Sequence, residues 1–305
     1  MRVVLLAGGT GGGKLAAGLQ DAIGPELTVI ANTADDVDVH GLRVCPDPDL
    51  CTYWLADVID EERGWGIRDD TPAVAERLER LGAPVWFELG DRDLATCIYR
   101  THFLAEGGTL TDAQAQIARS LGARARVLPM CEQRVGCRVL TARGWRGLQE
   151  FLILDHGEGE ISGVELPGIE SATTTPAVRE ALAAAEVIVI GPSNPVISIG
   201  PILSVAGVRD ALTTARAPVV AVSPLVGGRS MKGPTEAFLR ALGRPVSAAG
   251  VASLYVGLLD AMVVDSGDPE PGPDAIPVLS RPTLMKDRET RRRLAEATLE
   301  FAAGL

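Results

Sequence analysis

Several things are missing from this 305-residue sequence, and each absence removes a class of function. No stretch approaches the ~18 consecutive apolar residues of a membrane span, so no membrane partner is expected. The start lacks the charged, apolar and cleavage segments of a secretory signal, and a cytoplasmic location is expected. Positive charge is in deficit: 29 Lys and Arg face 40 Asp and Glu, a formal net charge of −11. Such a surface repels nucleic acid and anionic membranes, so neither is an expected partner. A phosphate ligand therefore has to be held locally, by helix ends, a few basic side chains or a bound cation. The five cysteines, Cys45, Cys51, Cys97, Cys131 and Cys137, contain no C-x-x-C. An odd number in a chain of this size points to reduced thiols. Cys131 with Cys137 is the one pairing to consider. His40, His102 and His156 are scattered without metal spacing, and no role is assigned to them. The absence of G-x-S-x-G, H-E-x-x-H and a Cys–His pair weakens hydrolase readings.

What is present begins with the first strand–loop–helix. Val3 to Ala7 is an apolar run with the length of a buried strand. It stops in a turn, Gly8, Gly9, Thr10, Gly11, Gly12 and Gly13, after which Lys14 opens a stretch with helical apolar spacing at Leu15, Leu19 and Ile23. This order puts bare amides at the positive end of a helix, where an anion can sit. Gly8 to Lys14 matches G-x-x-x-x-G-K, but Leu15 stands where a P-loop has Ser or Thr. The dinucleotide fingerprint also fails, because from Gly9 the pattern ends on Lys14. Two readings remain, a turn that only packs strand on helix and a phosphate loop of neither standard type; the second is preferred.

Composition is that of an ordinary globular chain, 46% hydrophobic and 23% charged. Strands are expected at Leu27 to Ala31, Val85 to Leu89, Arg126 to Pro129, Val135 to Leu140, Phe151 to Leu154, Val187 to Ile190 and Val219 to Val222. Helices are expected at Tyr53 to Val58, Ala73 to Leu81, through Ile98 and Phe103, and from a capping box at Thr111-x-x-Gln114. Others are expected from Thr175-Pro176, over Val208 to Thr214, and over Asp287 to Leu305. Asp265 to Asp274 reads as a surface loop. The alternation at both ends of the chain implies an α/β fold, a Rossmann-like, doubly wound, mostly parallel sheet. It is read as one domain over 1–305 with a helical insertion at about 70–125. Ligands of such sheets bind at the carboxyl ends of the strands. The glycine loop and the loops at Asp35, Asp91, Asn194 and Ser223 all follow candidate strands, so they can converge.

Asp35, Asp36, Asp38, Asp47 and Asp49 fall within fifteen positions and are read as loop residues. Crowded carboxylates call for a positive partner, and Mg2+ bound through one or two of them plus phosphate oxygens fits. For Asp38 a solvated turn is the preferred reading. Gly90-Asp91-Arg92-Asp93 is either a cap with a local ion pair or a site where Arg92 reaches a substrate anion. In Gly191-Pro192-Ser193-Asn194-Pro195 the two prolines stiffen a turn. There an amide can read a base edge and Ser193 can reach a phosphate.

In order, GGTGGGKL, NTADD, HGLRVCPDPDLCTY, RGWGIRDDT, LGDRDLAT, GPSNPVISIGPIL and AVSPLVGG resemble the CofD family, called FbiA in its bacterial branch. The resemblance spans nearly the whole chain. It implies an enzyme of coenzyme F-420 biosynthesis that moves a phosphorylated three-carbon acid from a guanosine-diphosphate carrier to a deazaflavin alcohol. GMP is released, Mg2+ is required, and the enzyme is commonly a homodimer. It implies acidic residues near deazaflavin and metal at Asp35 and Asp49, both metal-binding and catalytic. It implies a phosphate loop at Gly8, Gly9, Thr10, Gly11 and Lys14, a G-D-R-D turn at Asp91, Arg92 and Asp93, and a nucleotide-side loop at Ser193, Asn194 and Pro195. Glu88 stands where archaeal members tend to be basic, which alters the acceptor contact expected there. The Cys45 and Cys51 frame resembles the actinobacterial branch, in which the donor is thought to be an enolpyruvyl rather than a lactyl compound. The alternative is a nucleotide-sugar-binding regulator of the YvcK type. That type is glycine- and serine-rich after its Asp pair, where this chain has Val37-Asp38-Val39-His40-Gly41.

Overall fold

The β-branched and leucine-rich runs align side by side because the inner ones are apolar on both faces, as a strand covered by helices on two sides must be. In the computed structural model, which describes residues 1–270 and 272–305, seven of them form one sheet. Its order is Val278–Arg281, Ala261–Asp265, Val219–Val222, Val187–Ile190, Val3–Ala7, Leu27–Ala31, Arg126–Pro129. Every neighbouring pair is parallel, with Val3 opposite both Leu27 and Val187. The first strand alternates between two cores: Val4 and Leu6 join one, Val3, Leu5 and Ala7 the other. The expected Rossmann-like α/β fold is therefore present.

The chain runs outward from Val3–Ala7 to one edge, then returns to build the other half starting at Val187–Ile190. The crevice between those two adjacent strands is the topological switch point, where doubly wound sheets hold ligands. Gly8 and Gly191 sit at its mouth, and the Gly8 amide donates to Ser193 Oγ at 3.1 Å. The Gly9–Ile23 helix packs between the Pro46–Leu55 helix and the closing Arg288–Ala303 helix. Ala73–Arg80, Asp91–Ala105 and Leu110–Leu121 supply helices within the 70–125 stretch.

Several local expectations are corrected. The six residues from Gly8 are not a turn: the helix starts at Gly9, and Lys14 lies in its second turn. Tyr53 to Val58 is not a separate helix; the helix runs Pro46–Leu55, with proline at its start and Asp47 and Asp49 in its first turn, where the dipole favours acids. Val85 to Leu89 pairs with no strand, so the Asp91 turn follows an irregular segment outside the sheet. Phe151 to Leu154 closes a helix, Leu148–Ile153, that buries Phe151. Thr109, not Thr111, caps the Leu110–Leu121 helix. Val135 to Leu140 enters the sheet only from Arg138, in a three-stranded antiparallel sheet with Gly144–Gly147 and Ile161–Glu165. The acidic loop contains a hairpin, Val37–Val39 with Leu42–Val44, whose turn residues His40 and Gly41 both have positive φ. Asp265 ends a strand, and Pro271 of the expected Asp265 to Asp274 loop lies outside the described residues. All five cysteines are free and buried.

Candidate active site

Two cavities open at the carboxyl edge of the sheet and share one side chain, Asp47. The glycine-helix cavity, about 470 Å³, is lined by Gly8, Gly9, Thr10, Gly11 and Lys14, and by Asp35, Asp47, Ser193, Asn194, Lys232 and Thr235 among others. The aromatic cavity, about 410 Å³, is lined by Asp47, Asp49, Tyr53, Trp65, Trp86, Phe87, Glu88, Asp93 and Gln149 among others. The first is rich in amides and cations, the second in flat apolar rings.

Asp47 sits at the junction because two helix starts meet there. Its Oδ1 accepts from the Gly9 amide at 2.5 Å, and its Oδ2 accepts from Asn32 Nδ2 at 2.9 Å. A Cβ on Gly8 would collide with Asp47 Oδ2, so only glycine allows this approach. Gly9 has φ of +60°, and a Cβ there would meet nothing within 4 Å, so its conformation rather than crowding selects glycine. Gly11 to Gly13 do pack closely, against Pro192, Ser193 and Trp54. The glycine run thus serves close packing, the first of the two readings considered from the sequence.

The five aspartates divide by partner. Asp36 takes two bonds from Arg43, at 3.0 and 2.8 Å, and one from the Cys45 thiol. Asp49 is paired with Arg100, which is fully buried and also donates to the Arg43 carbonyl. Asp38 is exposed and pairs with Arg134 at the surface, the solvated role preferred for it. Asp35 and Asp47 are buried, and among the described residues neither has a basic partner. Asp35 holds only long contacts, from Asn32 at 3.4 Å and Gln149 at 3.3 Å. Burial, reinforced by Asp47 and Asp36, pushes its carboxyl well above the usual range. Burial pushes Asp47 up to about 6.

Among the described residues no group of three or more His, Cys, Asp or Glu side chains is arranged to hold a metal by itself. Two buried carboxylates without counter-ions, beside helix amides, nevertheless fit a hard divalent cation that takes its remaining ligands from phosphate and water. Asp49 differs from them in already having Arg100.

The remaining predicted residues scatter more. Asp91 caps the Ala73–Arg80 helix, accepting from Thr71 Oγ1 at 2.6 Å and the Val74 amide at 2.9 Å. Arg92 lies outside both cavities, in a groove beside Arg68 and Tyr99, where it donates to the Arg68 carbonyl at 3.1 Å. Asp93 does line the aromatic cavity, and burial pushes it up to about 6. Asn194 spends its carbonyl oxygen on the amides of Val196 and Ile197, which leaves only its NH2 group for a ligand. Pro195 is buried behind that turn and lines neither cavity. Lys14 donates to the Met285 carbonyl at 3.1 Å beside the Trp54 ring.

Sequence reasoning passes over Gln149 and Lys232, and places Asp47 in the acidic cluster without selecting it as a ligand. For Asp47 a signal exists, since Cys45-Pro46-Asp47 reads as a helix start with its acid in the first turn. Gln149 carries none, because the apolar run of its helix reads as a strand.

A family model described as "2-phospho-L-lactate transferase CofD" matches residues 3–274. The chain belongs to the CofD family. Within it, the chain is 41% identical over 267 residues to a Methanosarcina barkeri protein named 2-phospho-L-lactate transferase, covering 87% of this chain and 86% of that one. It is 39% identical over 314 residues to a Kitasatospora aureofaciens protein named phosphoenolpyruvate transferase, covering 99% and 98%. Both relatives are named as transferases. A solved UPF0052-family structure from Bacillus halodurans superposes with a TM-score of 0.64 over 98% of each chain, at 18% identity, a likeness of fold. Among the described residues no helix of this CofD-family chain is long and apolar enough to cross a membrane.

Proposed function

We propose that this CofD-family transferase moves a phosphoenolpyruvyl or phospholactyl group from a guanosine-diphosphate carrier to the ribityl hydroxyl of a deazaflavin alcohol, releasing GMP, in coenzyme F-420 biosynthesis. The observation that supports this most is the pair of cavities joined at Asp47. A diphosphate suits the amides of Thr10 and Gly11, beside the Gly9 amide that Asp47 takes, and the ammonium groups of Lys14 and Lys232. A flat ring system suits Trp65, Trp86, Phe87 and Tyr53. The reacting atoms would meet where the cavities do.

Mg2+ would be held by Asp35 and Asp47, and would neutralise charge on the transferring group when bound. That reading moves the second ligand from Asp49 to Asp47, because Arg100 already matches the charge of Asp49. Asp49, on the acceptor side, would orient the attacking hydroxyl and take its proton; burial raises its carboxyl above the ordinary value, and Arg100 opposes that rise. The Gly9 amide fixes Asp47, and Asn32 holds Asp47 and Asp35 together. The attacking oxygen forms a bond to the distal phosphorus, the bond to the bridging oxygen breaks, and GMP departs with that oxygen.

The test is direct. The protein is incubated with deazaflavin alcohol, Mg2+ and each of the lactyl, enolpyruvyl and glyceryl donors, and GMP is measured by chromatography. GMP from at least one donor supports the reading. Tight nucleotide binding without GMP from any of them overturns it in favour of a regulator.

A further inference from the structure

The segment between the cavities is tied from the nucleotide side by two side chains. Thr10, in the first turn of the glycine helix, donates to the Gly64 carbonyl at 3.2 Å. Lys232 Nζ donates to the Arg63 carbonyl at 2.8 Å. The other face of the same segment belongs to the acceptor side: the Arg63 guanidinium lies 4.8 Å from the centre of the Trp65 ring, and Trp65 lines the aromatic cavity. One short stretch, Arg63-Gly64-Trp65, therefore links Thr10 and Lys232 of the first cavity to the lining of the second.

Lys232 is placed to act through that stretch. It follows the hairpin Leu225–Val226/Arg229–Ser230 and stands directly before Gly233, which has positive φ. It lines the glycine-helix cavity together with Lys14. Burial lowers the affinity of each ammonium for its proton; at Lys14, Arg291 and to a lesser degree Lys232 add to this and Glu61 opposes it. Cations crowded this way are relieved by an anion. An ammonium has three donors, and Arg63 uses one, so two remain for phosphate oxygens.

We propose that Lys232 is a positioning residue that couples the two cavities: it binds a phosphate of the nucleoside-diphosphate donor while holding the Arg63 carbonyl, so that donor binding fixes Trp65 against the acceptor ring. This rests on the function proposed above. A bond to phosphate lowers the freedom of the Lys232 side chain, and the segment it holds loses freedom with it. Acceptor binding then has less ordering left to accomplish.

The test measures coupling rather than activity. Deazaflavin alcohol is titrated into the full-length protein by calorimetry, with and without saturating GDP and Mg2+. In the unaltered protein GDP should tighten acceptor binding by on the order of fivefold or more, and the acceptor should tighten GDP binding by the same factor. Lys232→Met should reduce that factor to near one, and Lys232→Arg should restore part of it. A role in stability alone would lower the melting temperature and leave the factor in place. If Lys232→Met keeps the factor, or if the unaltered protein binds both ligands with no coupling, the inference falls and the proposed function stands. If the unaltered protein binds neither ligand, both fall.

Discussion

Asp47 Oδ1 accepts the backbone amide of Gly9 at 2.5 Å, so the first turn of the acidic helix is bonded to the first turn of the glycine helix. This one contact brings together two sequence segments that lie 38 residues apart. It also puts a carboxylate where a bare helix start would otherwise face the ligand alone. Asp47→Ala should leave the Gly9 and Asn32 donors unmatched and cost about 1–3 kcal/mol of stability. Asp38→Ala, at an exposed surface pair, should stay within about 0.5 kcal/mol. Urea melts of the two variants compare the costs, and GMP release should fall only for Asp47→Ala.

Asp35 is buried, and among the described residues it has no basic partner. Asp35→Ala should keep the fold, since its only bonds are long ones. It should lose activity by on the order of 100-fold or more. A ligand that binds only the folded state stabilises it by about 2.7 kcal/mol at ~100 times its Kd. Mg2+ with GDP should therefore raise the melting temperature of the unaltered protein, and Asp35→Ala should lose most of that rise. Normal turnover by Asp35→Ala with added Mg2+ would falsify the metal assignment.

Asp93 gives a pH dependence with a definite sign. Its folded pKa is about 6, above its ordinary value of 3.8, because burial disfavours the charged form. The folded state therefore holds this proton more tightly than the unfolded state does. Stability is lost as pH rises from about 4 to about 6, and the full penalty, at most ~3 kcal/mol, is present above that. Asp93→Asn should be stabilised relative to the unaltered protein at pH 7 and by little at pH 4, in denaturant melts at both values. Equal differences at the two pH values would show that Asp93 is not shifted.

Arg100 is fully buried and answers the charge of Asp49. Arg100→Met should destabilise by ~3–5 kcal/mol, because a buried carboxylate is left alone. The double variant Arg100→Met with Asp49→Leu should recover part of that loss while remaining inactive. Thermal melts and the GMP assay separate the two effects.

The parallel sheet is legible because its strands are short, continuous apolar runs, and such runs in alternation with helices have one common solution. Val3–Ala7, Leu27–Ala31, Arg126–Pro129, Val187–Ile190 and Val219–Val222 can be read at their observed bounds. The strands Ala261–Asp265 and Val278–Arg281 escape the sequence reading, the second because Ser280 and Arg281 sit at the open edge where apolarity is not required. Phe151 to Leu154 misleads because a run of four apolar residues fits a buried strand and a buried helix turn equally well. Asp47 and Asp49 read as loop residues because prolines at 46 and 48 look like turn residues, although proline is equally at home in a helix's first turn.

By itself the sequence determined the layered α/β architecture, the family, and the set of acidic and glycine-rich segments from which the site is built. These depend on local composition and on order along the chain. Only the tertiary structure decided which aspartate meets which partner: Arg43 takes Asp36, Arg100 takes Asp49, the Gly9 amide takes Asp47, and Asp35 has no cationic side chain beside it among the described residues. The physical reason is that a carboxylate's role depends on the charges and donors within a few ångströms of it, and here those come from segments far apart in the chain.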